Sequence, residues 1–201
     1  MTAPIPYILS IHSSQSKLDR SLAHLAQMGV PPPIVFYGVD GRESGLETKH
    51  TYEIDNPGSN YHIGPKIVSM FLSHWVLWNV LAHVPGDSFL IFEDDVRMEP
   101  DWKPIFDESI FALPKDWDLC YVGSCCVDDM GVVSGHLHRV SKALCTHAYM
   151  VNRKAVQPLI DNCRKIWANI DIAIYFDAFP KMKVYAILPR IAYQIDTVIP
   201  P

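Results

Sequence analysis

Apolar positions fall in short runs whose spacing alternates between strand-like and helix-like along the chain. Residues 7–11 form a compact apolar run of strand length. Residues 16–28 place Leu18, Leu22, Leu25 and Met28 on one side of a helix, which Gly29 ends. Pro31, Pro32 and Pro33 enforce an extended link, and a second strand is predicted over 34–37. Strand, helix and strand in this order, with a connection long enough to cross over, predict a parallel βαβ opening. Residues 42–61 are polar and aperiodic, and read as a long loop of the kind that carries function in compact domains. A long helix is predicted over 65–83, with Ile67, Phe71, Trp75, Trp78 and Ala82 along one face. After the turn Pro85-Gly86-Asp87, the strand at 88–92 runs directly into Glu93-Asp94-Asp95. Further strands are predicted over 117–122, 147–151, 185–188 and 191–195, and a helix over 154–163. The pattern is α/β with a mixed sheet. Ligands of such folds sit at the C-terminal ends of the strands, where the acidic triplet falls.

Composition narrows the class. A chain of 201 residues suits one domain, 1–201, able to bury about two-thirds of its unfolded surface. Apolar content of 49% against 19% charged residues argues against wholesale disorder. A net charge of -5 without a basic stripe argues against binding duplex nucleic acid, while a single-stranded or transient nucleic-acid substrate stays open. Residues 1–6 lack the basic and apolar regions of a signal peptide. The most membrane-like stretch, 67–84, is interrupted by Ser69, Ser73, His74, Asn79 and His83, so a buried helix is expected rather than a transmembrane span. The expected location is cytoplasmic. The five cysteines are accordingly read as reduced, mostly buried thiols; a zinc site from Cys145, His147, His136 and His138 is the minor alternative.

The triplet Glu93-Asp94-Asp95 carries the chemistry. Side chains alternate along an extended chain, so Glu93 and Asp95 share one side and Asp94 takes the other. Like charges this close repel, and a divalent cation relieves the conflict. Mg²⁺ and Mn²⁺ accept carboxylate and phosphate oxygens together and stabilise a leaving diphosphate as Lewis acids. Three acids in a row are more often a solvated turn. Their position at the end of an apolar strand tips the balance toward metal binding.

Three blocks resemble glycosyltransferase family 25, the group of bacterial lipooligosaccharide and animal collagen galactosyltransferases. Phe71-Leu72-Ser73-His74-Trp75-Val76-Leu77-Trp78 is similar to its FLSHxxxW block. Leu90-Ile91-Phe92-Glu93-Asp94-Asp95-Val96 is similar to its LxxEDDV element, and residues 146–155 to its TxAYxxSRKGA segment. Asp19-Arg20, Gly38-Val39-Asp40-Gly41, residues 113–119, Asp171, Leu188-Pro189 and Gln194 follow in the family's order. The family's Gly-Glu-Ile-Gly run is replaced by Lys66-Ile67-Val68-Ser69, and its RKGA loses the glycine. The resemblance implies a GT-A fold, a Rossmann-like mixed sheet flanked by helices. A nucleotide-sugar half would cover about 1–100 and an acceptor half about 101–201. It further implies a DxD-type motif, a UDP-sugar donor, Mn²⁺ (or Mg²⁺), and inverting transfer of a hexose, galactose or glucose, to a hydroxyl on a glycan, a protein or another acceptor. Lipopolysaccharide biosynthesis is one setting.

Roles follow, each beside a plainer reading. Asp95 is the first metal ligand, with Glu93 beside it; Asp94 contacts ribose or joins the metal. Ser73 and His74 lie in an apolar helix, where such a pair is commonly satisfied by its surroundings; the family block tilts both toward the donor. Lys66 is a candidate for the diphosphate or a surface lysine. Asp40 suits uracil or ribose, or simply a turn. Ser10, His12 and Arg20 are weaker donor candidates. His147 completes the metal shell or is a core histidine. Tyr61, Trp75 and Tyr149 are candidates for a sugar-stacking wall. The resemblance assigns the general base to Asp171, with Asp177 second; an N-cap role is the plain alternative for Asp171. Two other classes compete: a metal-dependent phosphoesterase or nucleotidyl transferase, and a non-catalytic nucleotide-sugar-binding relative.

Overall fold

The structure is a computed structural model that describes residues 2–42 and 63–195. Most of the polar loop at 42–61, with Tyr61, lies outside the described residues. The opening follows the apolar pattern: β1 (Ile5–Ser10), α1 (Gln15–Gln27), β2 (Ile34–Tyr37), α2 (Pro65–Leu81) and β3 (Ser88–Glu93). β1 lies between β2 and β3 and is parallel to both. Then come β4 (Val96–Met98), α3 (Trp102–Ala112), β5 (Leu119–Gly123), β6 (Val127–Ser134), β7 (Leu137–Ala143) and β8 (Ala148–Asn152). The chain closes with α4 (Arg153–Asn162), α5 (Ile170–Ala173), β9 (Val184–Ile187) and β10 (Ala192–Gln194). The main sheet runs β2-β1-β3-β8-β5-β9-β7-β6, and β10 pairs with β4 in a small antiparallel ribbon. The sheet is mixed: β8 is antiparallel to both β3 and β5, while β9 is parallel to β5.

The central strands are buried on both faces, which explains their unbroken apolar runs. Phe89 and Ile91 of β3 join Tyr121, Tyr149 and the α2 residues Phe71 and Trp78 in one core layer. Leu90 and Phe92 point the other way, toward Leu18 and Leu25 of α1 and Trp102 and Phe106 of α3. Each of these fully buried side chains contributes about 1.5–3 kcal/mol. Helix α2 is buried more completely than one apolar stripe predicts: Leu72, Ser73, His74 and Leu77 are buried beside Phe71 and Trp78, because α2 packs on α4 as well as on the sheet.

Five elements escape the sequence pattern. β6 is exposed along most of its length and β4 has three residues, so neither shows a clear alternation. β7, α3 and α5 go unread as well. The reduced-thiol expectation is corrected: Cys125 and Cys145 form a disulfide and Cys126 is exposed, while Cys120 and Cys163 are buried thiols as expected. Burial pushes both of these thiols up to about 12. The disulfide also removes Cys145 as a zinc ligand, and His136 and His138 bond instead to the Leu188 carbonyl and to Asp129. No helix among the described residues is long and apolar enough to cross a membrane.

Candidate functional site

The parallel strands β1 and β3 end side by side, and the chain leaves β3 through the acidic triplet. A cleft of about 400 Å³ opens there, lined by Ser10, Lys17, Lys66, Ser69 and all three acids. The extended geometry expected through the triplet ends at Glu93: Asp94 and Asp95 form the turn between β3 and β4, so turn geometry rather than strand alternation sets their directions. Asp94 turns toward β1 and accepts the Ser10 hydroxyl at 2.6 Å. Glu93 and Asp95 turn the other way, where the Gln194 amide reaches both, at 3.2 and 3.4 Å.

Glu93 is the most constrained of the three. It accepts the Thr146 hydroxyl at 2.6 Å and the His74 ring at 3.2 Å, besides Gln194. Behind His74 lies a buried chain: Trp78 donates to the Tyr149 oxygen at 2.9 Å, and that oxygen lies 2.9 Å from His74 Nδ1. One assignment satisfies every donor. The Tyr149 hydrogen goes to Nδ1, and His74 Nε2–H donates to Glu93. Burial raises the Glu93 carboxyl, but the hydrogen bonds from His74 and Thr146 outweigh it and hold it below its ordinary value. Asp94 moves the opposite way: burial raises it, and Ser10 and Lys17 only partly offset this and the repulsion of its acidic neighbours.

Lys17, from the first turn of α1, sits over the other two acids. Its ammonium lies 2.9 Å from Asp95 and 3.8 Å from Asp94. The same helix holds the triplet's backbone, since the buried Ser21 hydroxyl donates to the Asp94 carbonyl at 2.6 Å. Nothing in the local sequence marks Lys17; only the packing of α1 against β3 brings it here.

Other expected residues divide. Ser73 lines the cleft, yet its hydroxyl accepts from the Val39 N–H at 2.9 Å and donates to the Ser69 carbonyl at 2.7 Å. It also abuts Gly38 so closely that a Cβ there would collide with it. Ser73 therefore docks α2 onto the exit of β2. Ser69, which sequence reading did not single out, has a buried hydroxyl with no hydrogen-bond partner among the described residues, and it lines the cleft. Asp40 is absent from the cleft lining; its carboxylate accepts from Ser13 and from the Arg42 backbone, so the turn reading describes what it does here. Arg20 bonds to the Ser16 carbonyl on the exposed side of α1, and His12 stacks on Tyr37. The Trp75 ring donates to the Ile160 carbonyl, and Tyr149 is fully buried, so neither forms part of a sugar-facing wall in this arrangement.

A second cavity of about 370 Å³ adjoins the first, sharing Lys66, Met70, Glu93 and Gln194 with it. Asp171 lines this second space, and its carboxylate accepts from the Cys145 N–H at 3.0 Å. Asp177 lines neither cavity and accepts from the Trp167 ring at 2.8 Å. His147 also lies outside both linings. Its Nε2 bonds the Ala192 carbonyl at 3.2 Å, its buried Nδ1 has no partner among the described residues, and burial lowers its pKa. A side chain at Gly123 would collide with the His147 ring.

The acidic side chains at the cleft present oxygen donors. Asp94 and Asp95 share the Lys17 ammonium as a counter-ion. Among the described residues, no group of three His, Cys, Asp or Glu side chains is arranged as a ready-made metal cage. Mg²⁺-type sites commonly use one or two carboxylates and complete their shell with substrate phosphates and water.

No protein-family model matches the chain. It is 27% identical over 190 residues to a bovine protein named probable inactive glycosyltransferase 25 family member 3, covering 87% of this chain and 32% of that one. It is 26% identical over 131 residues to a glycosyltransferase 25 family member of Anopheles gambiae (58% and 21%). It is 25% identical over 126 residues to mouse procollagen galactosyltransferase 2 (58% and 20%). The chain thus spans about a third or less of the length of these relatives. Solved structures with a similar chain path include a glycosyltransferase involved in glycosylation of the major capsid of PBCV-1, at TM-score 0.49, 12% identity and coverage of 91% and 81%. Another is a Drosophila galactosyltransferase 7 mutant in complex with manganese, UDP-Gal and xylobiose, at TM-score 0.49, 7% identity and coverage of 96% and 71%. The motif resemblance thus has its counterpart in whole-sequence similarity: the chain is similar in sequence to members of the glycosyltransferase 25 family, and it has the Rossmann-like mixed sheet expected of a GT-A fold.

Proposed function

We propose that the chain binds a nucleotide-sugar donor, UDP-linked, in the cleft at the ends of β1 and β3, and transfers its hexose to a hydroxyl acceptor in the adjoining cavity. One observation carries this reading: two cavities meet at Glu93 and Gln194, one floored by the acidic triplet and the other flanked by Asp171. Donor elements come mainly from residues 1–100 and acceptor elements from 101–201. Lys66 and the unpartnered Ser69 hydroxyl offer a charge and a hydrogen bond to the donor's diphosphate. Asp95 and Glu93 would hold Mn²⁺ or Mg²⁺, which when bound supplies Lewis-acid stabilisation of the leaving diphosphate. His74 orients Glu93, and Asp94 with Ser10 ties β1 to the triplet. Inverting transfer needs a base to take the acceptor proton, and Asp171 serves here on the far side of Glu93. The acceptor is a sugar, a protein hydroxyl or another alcohol. The cytoplasmic expectation stands against the Cys125–Cys145 disulfide, which favours an oxidising compartment.

Lys17 over the carboxylates, together with relatives named inactive, favours a second reading: a donor-binding relative without turnover. A panel of UDP-sugars with Mn²⁺, scored by UDP release and by calorimetric binding, separates the two. Slow donor hydrolysis supports the transferase. Tight binding without release across donors and acceptors supports the second reading, and no binding of any UDP-sugar overturns both.

A further inference from the structure

The Lys17 ion pair has a geometry that bears on how the cleft loads. Its ammonium is the one cationic group within 4 Å of either Asp94 or Asp95 among the described ion pairs, and it reaches both. The acids are largely shielded while the lysine is about one-third open to the cleft, with side-chain exposures of 14% for Asp94, 13% for Asp95 and 32% for Lys17. The carboxylates are therefore held in place by backbone and neighbours: Asp94 by Ser10 and by Ser21 on its carbonyl, Asp95 by Gln194. The lysine reaches them as a point charge on a four-carbon stem with several rotatable bonds. A divalent cation and an ammonium cannot share Asp95 at bonding distance, because like charges a few ångströms apart repel strongly in a partly shielded site. A nucleotide diphosphate in the same cleft would present the lysine with a new anion.

We propose that Lys17 is a tethered counter-ion that exchanges partners on loading. Without donor and metal it neutralises Asp94 and Asp95. When donor and metal enter together, Lys17 yields Asp95 to the divalent cation and re-pairs with the diphosphate oxygens. The exchange adds one positive charge at the carboxylates and moves another onto the phosphates. It makes metal binding weak without nucleotide and strong with it, which couples the two ligands. This rests on the donor reading above, and the test separates the two.

The experiment measures Mn²⁺ affinity by the electron paramagnetic resonance signal of free Mn²⁺, without nucleotide and with UDP, on wild-type protein, Lys17→Met and Lys17→Arg. Melting temperature is recorded for each. Lys17→Met removes the competitor with a stem of similar length, so Mn²⁺ alone should bind about tenfold tighter than to wild type. UDP should bind Lys17→Met about tenfold more weakly at saturating Mn²⁺, since one phosphate contact is lost. Lys17→Arg keeps the charge and should keep weak metal binding, which gives the comparison even if the methionine variant is poorly folded. Mn²⁺ affinity within twofold of wild type in a folded Lys17→Met protein overturns the exchange. So does equal UDP affinity of wild type with Mn²⁺ and with chelator. Lys17-dependent Mn²⁺ binding without any UDP binding upholds the lysine's competition with metal, but overturns both its transfer to the diphosphate and the donor reading.

Discussion

Tyr149→Phe tests the buried chain behind Glu93. The substitution removes one oxygen from a position with no solvent exposure and leaves the ring, so packing is nearly unchanged. That oxygen accepts the Trp78 N–H and bonds His74 Nδ1, both at 2.9 Å and both fully buried. Deleting it strands two polar groups where no water reaches them, and each stranded group costs about 1–3 kcal/mol. A loss of about 3 kcal/mol is the central expectation, which for a domain of this size lowers Tm by about 6–12 °C. His74 also loses the contact that fixes its ring, so Glu93 is less firmly held and donor affinity should fall at temperatures where the protein stays folded. The assay is thermal unfolding with a double-mutant cycle against Trp78→Phe. The paired variant should cost less than the sum of the singles by about 1 kcal/mol, because both changes break the same bond. A Tm within about 2 °C of wild type, or strict additivity, would refute the chain, since a hydroxyl with no partners leaves nothing stranded.

Asp171→Asn should lower transfer by about 10²–10⁴-fold while leaving Mn²⁺–UDP affinity near wild type; wild-type transfer rates would remove Asp171 as the base, and lost UDP affinity would move it into the donor site. Asp177→Asn should weaken the Trp167 contact and lower Tm modestly with transfer retained, and a large fall in turnover per folded molecule would contradict its position outside both cavities. His24 accepts the Met98 N–H at 2.9 Å, and burial, then the Arg97 charge, lower its pKa from an ordinary value near 6.5. The folded state therefore binds this proton less readily than the unfolded chain, so the contribution is full above about pH 6.5 and is lost as pH falls through the depressed value. Replacement by Gln should flatten that part of the stability profile between pH 7.5 and 5, and an unchanged slope would show that other groups cause it. The Cys125–Cys145 disulfide closes a loop with a sequence separation of 20, so Cys125→Ser should lose about 3 kcal/mol in denaturant titration. An unchanged unfolding midpoint would mean that the loop is held without the bond.

The hydrophobic pattern alone determined the elements that build the floor of the site. Runs such as 88–92 are apolar at every position because both faces of β3 are covered, and a strand of that kind announces itself locally. The triplet that follows was legible in place but not in geometry: strand alternation applies as far as Glu93, and the turn at Asp94 and Asp95 sets where those two carboxylates point. Motif resemblance added Ser73, His74 and Asp171. What the tertiary structure decided is which of these side chains are already engaged. Ser73 and Asp40 look equally available in the sequence, yet both are bound to neighbouring backbone groups, and Asp177 is bound to Trp167. Lys17 and Ser69 carry no local mark of function, since a lysine or a serine on a helix is unremarkable by composition, and Thr146 and Gln194 stand in family-like segments without an assigned role. They matter because α1, α2, β8 and β10 converge on the end of β3, and such convergence depends on contacts between residues up to 101 positions apart. The disulfide was misread for the same reason: compartment was argued from residues 1–6, whereas pairing depends on the approach of two loops that only the folded chain brings together.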